Sequence, residues 1–139
     1  MNLITDREKA DVLLQTEKGR YGPEDLNRVE RAVAELSNLA KALDVHYAPE
    51  VKTDWGLPGA FSASAWPTRQ QMARYLENVA GLCAAVEVSA NLPCTMENLS
   101  FQDANRIEEA LEAVYLRIQR ILQTFRYSGT FFAGEENRL

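Results

Sequence analysis

Hydrophobic residues recur at helical spacing in four segments of the chain, separated by polar positions. In residues 23–43 apolar side chains return at alternating intervals of three and four, which predicts a long amphipathic helix. Residues 68–90 and 100–126 carry similar stripes and predict two more long helices. Residues 6–18 carry a narrower apolar face and predict a short first helix. Three long helices with one apolar face each are expected to form a bundle around a shared core.

The end of the chain departs from this pattern. Residues 127–139 read Y-S-G-T-F-F-A-G-E-E-N-R-L, where the Ser-Gly pair favours a tight turn. Aromatic side chains are concentrated here, more densely than the core of a helix bundle requires. We therefore predict an all-α helix bundle over residues 1–126, followed by a small C-terminal β-hairpin or strand over residues 127–139. Tyr127, Phe131 and Phe132 of this tail are predicted to contact a partner.

A long connection, residues 44–66, separates the second and third predicted helices. It contains proline, glycine and serine and shows no hydrophobic period, which indicates a loop. Within it, residues 52–55 read K-T-D-W, a polar and aromatic cluster. Trp55 has two interpretations: it anchors the loop on the helices, which we favour, or it is a hot spot that contacts a partner.

The second and fourth predicted helices share a sequence pattern. Residues 24–36 read E-D-L-N-R-V-E-R-A-V-A-E-L and residues 102–114 read Q-D-A-N-R-I-E-E-A-L-E-A-V, so Asp, Asn, Arg, Glu and Ala recur in register. Asparagine is a mediocre helix former whose side chain needs a hydrogen-bond partner. One interpretation is a polar contact between the N-terminal ends of these helices, and the other is chance similarity between amphipathic helices. The residues assigned to this contact are Asp25, Asn27, Arg28, Asp103, Asn105 and Arg106.

The composition limits the class of protein. The chain has 139 residues, of which 46% are hydrophobic and 25% charged, as in one ordinary globular domain. Its formal net charge of −5 disfavours binding to nucleic acid or to anionic membrane surfaces, because both need basic patches. No charge-free apolar run approaches the roughly 18 residues of a membrane span, and the N-terminus has no secretory signal pattern. We expect a cytoplasmic origin, with no nucleic-acid or membrane partner.

Few residues suited to catalysis or metal binding occur. His46 is the only histidine, and a lone histidine in a loop is typical of a structural or solvated side chain. Cys83 and Cys94 are expected to be free thiols, the first packing as a small hydrophobe; a disulfide or redox pair is the alternative. One histidine and two separated cysteines do not form a zinc ligand set.

The sequence also contains none of the common nucleotide-binding or nucleophile motifs. Glu108, Glu109 and Glu112 lie on the fourth predicted helix, where an acid–base or metal group is conceivable. A run of charge on a helix is more typical of a solvated face, and we assign these three carboxylates to solvent. The sequence therefore predicts a protein that is not an enzyme and that holds no metal or cofactor.

Several blocks of the sequence follow one another in a recognisable order. They are I-T-D-R with A-D-V (4–7, 10–12), K-G-R-Y leading into D-L-N-R-V-E (18–21, 25–30), V-K-T-D-W (51–55), W-P-T with Q-M-A-R-Y-L-E-N-V (66–68, 71–79), L-S-F-Q-D-A-N-R-I-E (99–108) and Y-S-G-T-F-F-A-G-E (127–135). In this order the chain resembles a family of small proteins from the tail or host-contact gene cluster of phages and prophages of Gram-positive bacteria. Two connections differ: the stretch before K-G-R-Y is shorter than in the family, and an extra G-L-P-G-A-F-S-A-S segment precedes W-P-T.

The resemblance implies a non-enzymatic structural or adaptor protein of a phage or prophage tail, with no catalytic residues to carry over. It implies a virion location after synthesis in the bacterial cytoplasm, and other tail proteins or further copies of this chain as partners. The aromatic tail would then add a strand to the sheet edge of a neighbouring subunit. The alternative is a phage-encoded regulator that binds a host protein through its helical surface.

Overall fold

The protein is a bundle of three helices with a short helix before them. A computed structural model describes residues 3–16, 19, 21–55 and 67–135, with side chains as far as Thr124. The helices are α1 (Lys9–Leu13), α2 (Pro23–Ala40), α3 (Arg69–Ala85) and α4 (Phe101–Glu135), and a 3-10 turn, Lys41–Leu43, ends α2. Within those ranges the chain is mostly helical and contains no strand, so the predicted all-α class is confirmed.

Local sequence determines where the long helices begin. At the start of α3 the Thr68 hydroxyl accepts the N–H of Gln71 at 3.1 Å, and the Gln71 side chain accepts the N–H of Thr68 at 3.0 Å. Ser100 and Asp103 form the same reciprocal pair before α4, at 3.0 and 3.4 Å. α2 begins with a proline at its first position. These pairs satisfy backbone N–H groups that a helix start leaves without intrahelical partners.

The core lies where α2, α3 and α4 meet, and each of these helices contacts the other two. Its fully buried apolar side chains follow the stripes that the sequence predicts for the three helices. Burying one large apolar side chain stabilises the folded state by about 1.5–3 kcal/mol relative to leaving it exposed. The fully buried side chains are Val29, Val33, Leu36, Tyr75, Val79, Leu82, Ile107, Leu111, Val114 and Ile118.

The first helix is much shorter than predicted. Instead of residues 6–18, α1 covers five residues, none of them buried. Val12, Leu13 and Leu14 are 44–75% exposed. The apolar face of this segment is too narrow to bury enough surface against the bundle, and packing of an apolar face is what stabilises most short helices.

The C-terminal hairpin predicted for residues 127–139 is not found, since α4 continues as a helix through Glu135. Serine and glycine within a helix cost about 0.5–1 kcal/mol each relative to alanine. Extending an existing helix gains one backbone hydrogen bond per residue, which offsets that cost. Residues 136–139 and the side chains of Tyr127, Phe131 and Phe132 lie outside the described part of the chain, so their contact with a partner stays a prediction.

No helix in the described ranges has the length and apolar character needed to cross a membrane. The described part of the long connection, residues 44–55, contains no helix or strand and packs against the bundle through Val45, Tyr47 and Val51. Tyr47 fixes its course, because its hydroxyl donates to the carbonyl of Asn78 on α3 at 3.2 Å. The segment that follows α2 is therefore held against α3.

Candidate functional site

Asn27 and Asn105, the equivalent asparagines of the two similar helices, make the same pair of hydrogen bonds. The amide oxygen of Asn105 accepts the N–H of Arg7 at 3.1 Å, and its nitrogen donates to the carbonyl of Arg7 at 3.0 Å. Asn27 binds the N–H and carbonyl of Trp55 in the same way, at 2.8 and 2.9 Å. A side-chain amide can supply both the donor and the acceptor that an isolated extended residue lacks. Each asparagine therefore holds an extended segment on its helix.

A glutamate three residues after each asparagine extends this arrangement. Glu108 accepts the N–H of Ile4 at 3.0 Å, and Glu30 accepts the N–H of Lys52 at 3.0 Å. Ile4 and Lys52 each lie three residues before the residue that the asparagine binds. The helix spacing and the segment spacing therefore match in both places.

The two bound segments are also alike in sequence, I-T-D-R at residues 4–7 and K-T-D-W at residues 52–55. We call the first arrangement the N-terminal clamp and the second the loop clamp. The N-terminal clamp consists of Asp25, Arg28, Asn105 and Glu108. The loop clamp consists of Asn27, Glu30 and Arg74.

Two arginines and two carboxylates meet inside the N-terminal clamp. The Arg7 guanidinium lies 2.7 Å from Glu108 and 3.2 Å from Asp25. Arg28 donates to both carboxylate oxygens of Glu108, at 2.7 and 2.8 Å, and to Asp25 at 2.5 Å. The side chains of Arg7 and Glu108 are buried. Removing charges from water costs several kcal/mol per ion unless they are paired, and here the two positive and two negative charges balance.

The pKa shifts around this clamp agree with its geometry. Hydrogen bonds from Arg28 to Glu108 raise the pKa of the Arg28 guanidinium, despite an opposing effect of partial burial. The Tyr21 ring lies 5.4 Å from the Arg7 guanidinium carbon, and the Tyr21 hydroxyl shares a short hydrogen bond with that of Tyr75. Burial raises the pKa of both tyrosines. These pKa shifts favour the charged form of Arg28 and the neutral forms of Tyr21 and Tyr75.

The loop clamp uses a single carboxylate. Glu30 accepts the indole N–H of Trp55 at 2.5 Å and binds the Arg74 guanidinium through both oxygens, at 2.9 and 3.2 Å. Arg74 also donates to the carbonyl of Glu50, which the Asn78 side chain binds at 2.7 Å. This clamp joins the loop to both α2 and α3.

Trp55 anchors the loop, which is the interpretation favoured from the sequence. The residue is 3% exposed, and both its backbone and its indole N–H are bound. This burial leaves little of the Trp55 side chain exposed to another protein, so the structure favours anchoring over the partner contact. Lys52 covers the ring from outside, with its ammonium 5.1 Å from the ring centre and 2.7 Å from Asp54.

The six polar residues assigned to a contact between the two similar helices have separated roles. Arg28 makes the direct link from α2 to α4 by binding Glu108, and Asn27 instead belongs to the loop clamp. Asp103 and Arg106 form an ion pair within α4 near the surface, at 3.0 Å, and Asp103 also takes part in the capping pair with Ser100. Asp25, Arg28 and Asn105 thus meet in one site, while the other three positions do not join it.

Sequence reasoning missed four charged residues, Arg7, Glu30, Arg74 and Glu108. The assignment of Glu108 to solvent is wrong, because the residue is completely buried, whereas Glu109 and Glu112 are exposed as expected. One signal was available in the sequence: each buried glutamate lies four residues after one apolar stripe residue and three before the next. A second signal was the Thr-Asp pair that occurs in both bound segments, residues 4–7 and 52–55.

The residues considered for catalysis lie apart from the clamps. His46 is exposed beside Asp44, 3.0 Å away. Both cysteines are free, and burial raises the pKa of the Cys83 thiol to about 11, while Cys94 is exposed. Among the residues that the structure describes, no three His, Cys, Asp or Glu side chains are grouped to hold a metal ion.

A groove of about 1180 Å³ lies beside the N-terminal clamp, between the start of α3 and residues 94–102. Leu26, Met72 and Leu76 are among its apolar lining residues, and the exposed ion pair of Arg69 and Glu97, 3.1 Å apart, borders it. Its mixture of apolar lining and charged edge suits the side chains of another protein.

No family model, no curated protein and no solved structure matches this chain. The clamps are nevertheless built from the sequence blocks that carry the resemblance described above. I-T-D-R and V-K-T-D-W are the bound segments, and D-L-N-R-V-E and Q-D-A-N-R-I-E supply the asparagines and glutamates that bind them.

Proposed function

We propose that this protein is a non-enzymatic structural or adaptor component of a phage or prophage tail. The observation that carries the proposal is the use of its buried charges. Arg7, Arg28, Glu30 and Glu108 each bind other parts of the same chain and hold extended segments in place. The sequence blocks that form these contacts supply the phage context.

Buried ion pairs contribute little net stability, and their clearest use is to fix one geometry among alternatives. Catalytic sites instead present titratable groups with shifted pKa values to a cleft. In this chain Arg28 binds Glu108 and Asp25, and Tyr21, which also lines the groove, shares its hydroxyl hydrogen bond with Tyr75. That arrangement supports a protein whose role depends on keeping an exact shape for contact with neighbours.

The length of α4 supports a contact at the C-terminal end. It has 35 residues against 18 in α2 and 17 in α3, so it is about 52 Å long where its neighbours are about 25–27 Å. Its fully buried side chains run as far as Ile118, and Leu122 still packs partly buried against the core. Tyr127, Phe131 and Phe132 lie beyond Leu122 on α4 and are our proposed contact with other tail proteins or with further copies.

Mass spectrometry of purified particles, induced from the bacterium that carries the gene, tests this function. We expect the chain in the particles together with tail proteins. Deleting residues 127–139 should remove it from particles, while circular dichroism shows that the bundle remains folded. Deleting only residues 136–139 is the matched control and should preserve incorporation. Particles that contain no trace of the intact chain would contradict the proposal.

The groove favours a second candidate, a phage-encoded regulator that binds a host protein. In that case the chain is absent from particles and recovers one defined host protein from the lysate. Met72→Lys, which places a charge in the groove, should abolish this recovery. Gln119→Lys, at an exposed position on α4, is the control and should leave it unchanged.

A further inference from the structure

The N-terminal arm, residues 3–7, is bound to the bundle as a separate peptide would be. Its hydrogen bonds reach far along the chain: Ile4 binds Glu108, and Arg7 binds Asn105, across 98–104 residues. Leu3 packs against the hydrophobic core. The arm thus has its own receptor site on α4, built from side chains rather than from a sheet edge.

The first part of the connector from the arm to α2, residues 8–15, lies at the surface. None of residues 8–15, all of which the structure describes, is buried. Val12 and Leu13 of α1 are largely exposed, and Gln15 after it has a φ of 55°, a left-handed conformation that is unfavourable for a residue other than glycine. The arm is therefore docked, while residues 8–15 lie at the surface and include one residue, Gln15, in a left-handed conformation.

Gly19 keeps the connector folded back on itself. Thr16 donates its N–H to the carbonyl of Asp11 at 3.0 Å, and Gly19 donates to the carbonyl of Thr16 at 3.1 Å. A Cβ atom at Gly19 would lie 2.3 Å from the Asp11 carbonyl oxygen, closer than real contacts allow. Any side chain at this position must therefore open the connector.

We propose that the arm exchanges between copies of this chain, so that the arm of one copy occupies the N-terminal clamp of a second. The same contacts form within one chain or between two, so exchange frees Gln15 from its left-handed conformation and costs only the entropy of association. Part of the clamp is built within the bundle itself, because Arg28 on α2 binds both Asp25 on α2 and Glu108 on α4. This inference goes beyond the proposed tail function and holds for the purified chain alone.

Charge identifies a second copy as the occupant. Without the arm, the clamp contains two carboxylates, Asp25 and Glu108, and one guanidinium, Arg28, a net charge of −1 buried against the bundle. Arg7 restores neutrality, and Asn105 and Glu108 bind the backbone of the same segment at matching spacing. The sequence I-T-D-R is thus the ligand for which this site is built, and every copy carries it.

Two variants should drive exchange. Gly19→Ala prevents the closed connector, and deletion of residues 13–15 makes the connector too short to fold back. For both we expect light scattering after size-exclusion chromatography to give twice the monomer mass of 15.6 kDa. Gly22→Ala is the matched control, because a Cβ there meets nothing within 4 Å, and it should stay monomeric.

A synthetic peptide of residues 1–8 distinguishes arm exchange from other association. In excess it should occupy the clamp and return the dimers to half their mass, whereas the same peptide with Arg7→Ala should not. The proposal is overturned if the mass of the dimers does not change when the native peptide is added. It is also overturned if both variants are folded and stay monomeric.

The unaltered chain provides a measurement that does not depend on the variants folding. One pool carries a fluorescent donor on the N-terminal amine, and the other an acceptor on the exposed Cys94. Mixed at the highest soluble concentration, the pools should develop energy transfer that the native peptide suppresses. Absence of energy transfer in this mixture contradicts exchange even if the variants misfold.

Discussion

The N-terminal clamp and the loop clamp bind similar segments with the same types of helix residue, an asparagine and a glutamate. They differ in the contacts that they make with the last residue of the segment. In both, an asparagine binds one backbone residue and a glutamate binds the N–H three residues earlier. The segment ends in Arg7 in one clamp and in Trp55 in the other. Backbone recognition is therefore common to both, and the final side chain decides what else must be buried.

The number of charges follows from that final side chain. Arg7 brings a positive charge into the interior, and a second carboxylate, Asp25, joins Glu108 to balance it. Trp55 brings apolar surface and one N–H donor, and a single carboxylate, Glu30, suffices. The comparison teaches that a buried charge in this fold is tolerated only as part of a balanced set.

Each clamp also receives an arginine from a different helix, and this joins the bundle together. Arg28 of α2 binds Glu108 of α4, while Arg74 of α3 binds Glu30 of α2. The clamps therefore connect α2 to both of its neighbours as well as holding the segments. Loss of either glutamate affects a helix pair and an extended segment together.

The largest effect is expected from Glu108→Ala. It leaves Arg7 and Arg28 without their shared carboxylate, and breaking a buried pair in this way costs about 3–5 kcal/mol. Glu30→Ala should cost less, because its partner Arg74 is partly exposed. Urea unfolding measures both free energies of unfolding. Glu109→Ala, at the exposed neighbouring position, is the control and should change stability by less than about 0.5 kcal/mol. If Glu108→Ala and Glu30→Ala lower the free energy of unfolding by the same amount, the expected difference between the two clamps is refuted.

Trp55 variants separate the apolar and hydrogen-bonding parts of the loop clamp. Trp55→Ala should cost about 3–5 kcal/mol through lost burial and a cavity. Trp55→Phe keeps much of the apolar surface but removes the indole N–H from Glu30, and should cost about 1–3 kcal/mol. If the two variants lose the same stability in urea, the bond to Glu30 is what matters and the anchoring by burial is wrong.

The two asparagines allow the shared recognition to be tested directly. Asn27→Leu and Asn105→Leu each leave a backbone N–H and carbonyl without their partner, which should cost about 1–3 kcal/mol. The loss at Asn27 should be the larger, since Asn27 is buried and Asn105 only half-buried. Hydrogen exchange should show faster exchange at Trp55 in the first variant and at Arg7 in the second. No change in either rate would show that the asparagines do not hold the segments.

Alkaline pH should weaken the N-terminal clamp before the loop clamp. Burial raises the pKa of Tyr21, which lies against Arg7, and of Tyr75, so the folded state favours their neutral forms. Their contribution to stability is fully present below the ordinary tyrosine pKa of about 10 and is lost as pH rises above it. Absorbance at alkaline pH should show two tyrosines ionising only with unfolding. Tyr21→Phe should remove part of the loss of stability at alkaline pH. If the stability of this variant depends on pH as that of the unaltered chain does, the role given to Tyr21 is contradicted.

Much of the fold could be predicted from local pattern. The starts of α3 and α4 follow from Thr68 and Ser100 as capping residues, and the apolar stripes give the core. The loop anchor was also within reach, since a tryptophan beside polar residues suits a buried ring with one hydrogen bond. The C-terminal helix was not, because Ser-Gly is a turn signal that a long preceding helix overrides.

The sequence by itself determined where α2, α3 and the start of α4 lie, which faces of these helices are apolar, and that α2 and α4 carry the same Asn and Glu spacing. Those properties depend on neighbours a few positions apart, where spacing and capping act. Only the tertiary structure decided that Glu108 is buried while Glu109 is exposed, and that Asn27 and Asn105 bind extended segments rather than each other. The partners of these side chains lie 28 and 98 residues away along the chain, and a buried charge is stable only once the opposite charges have been brought beside it.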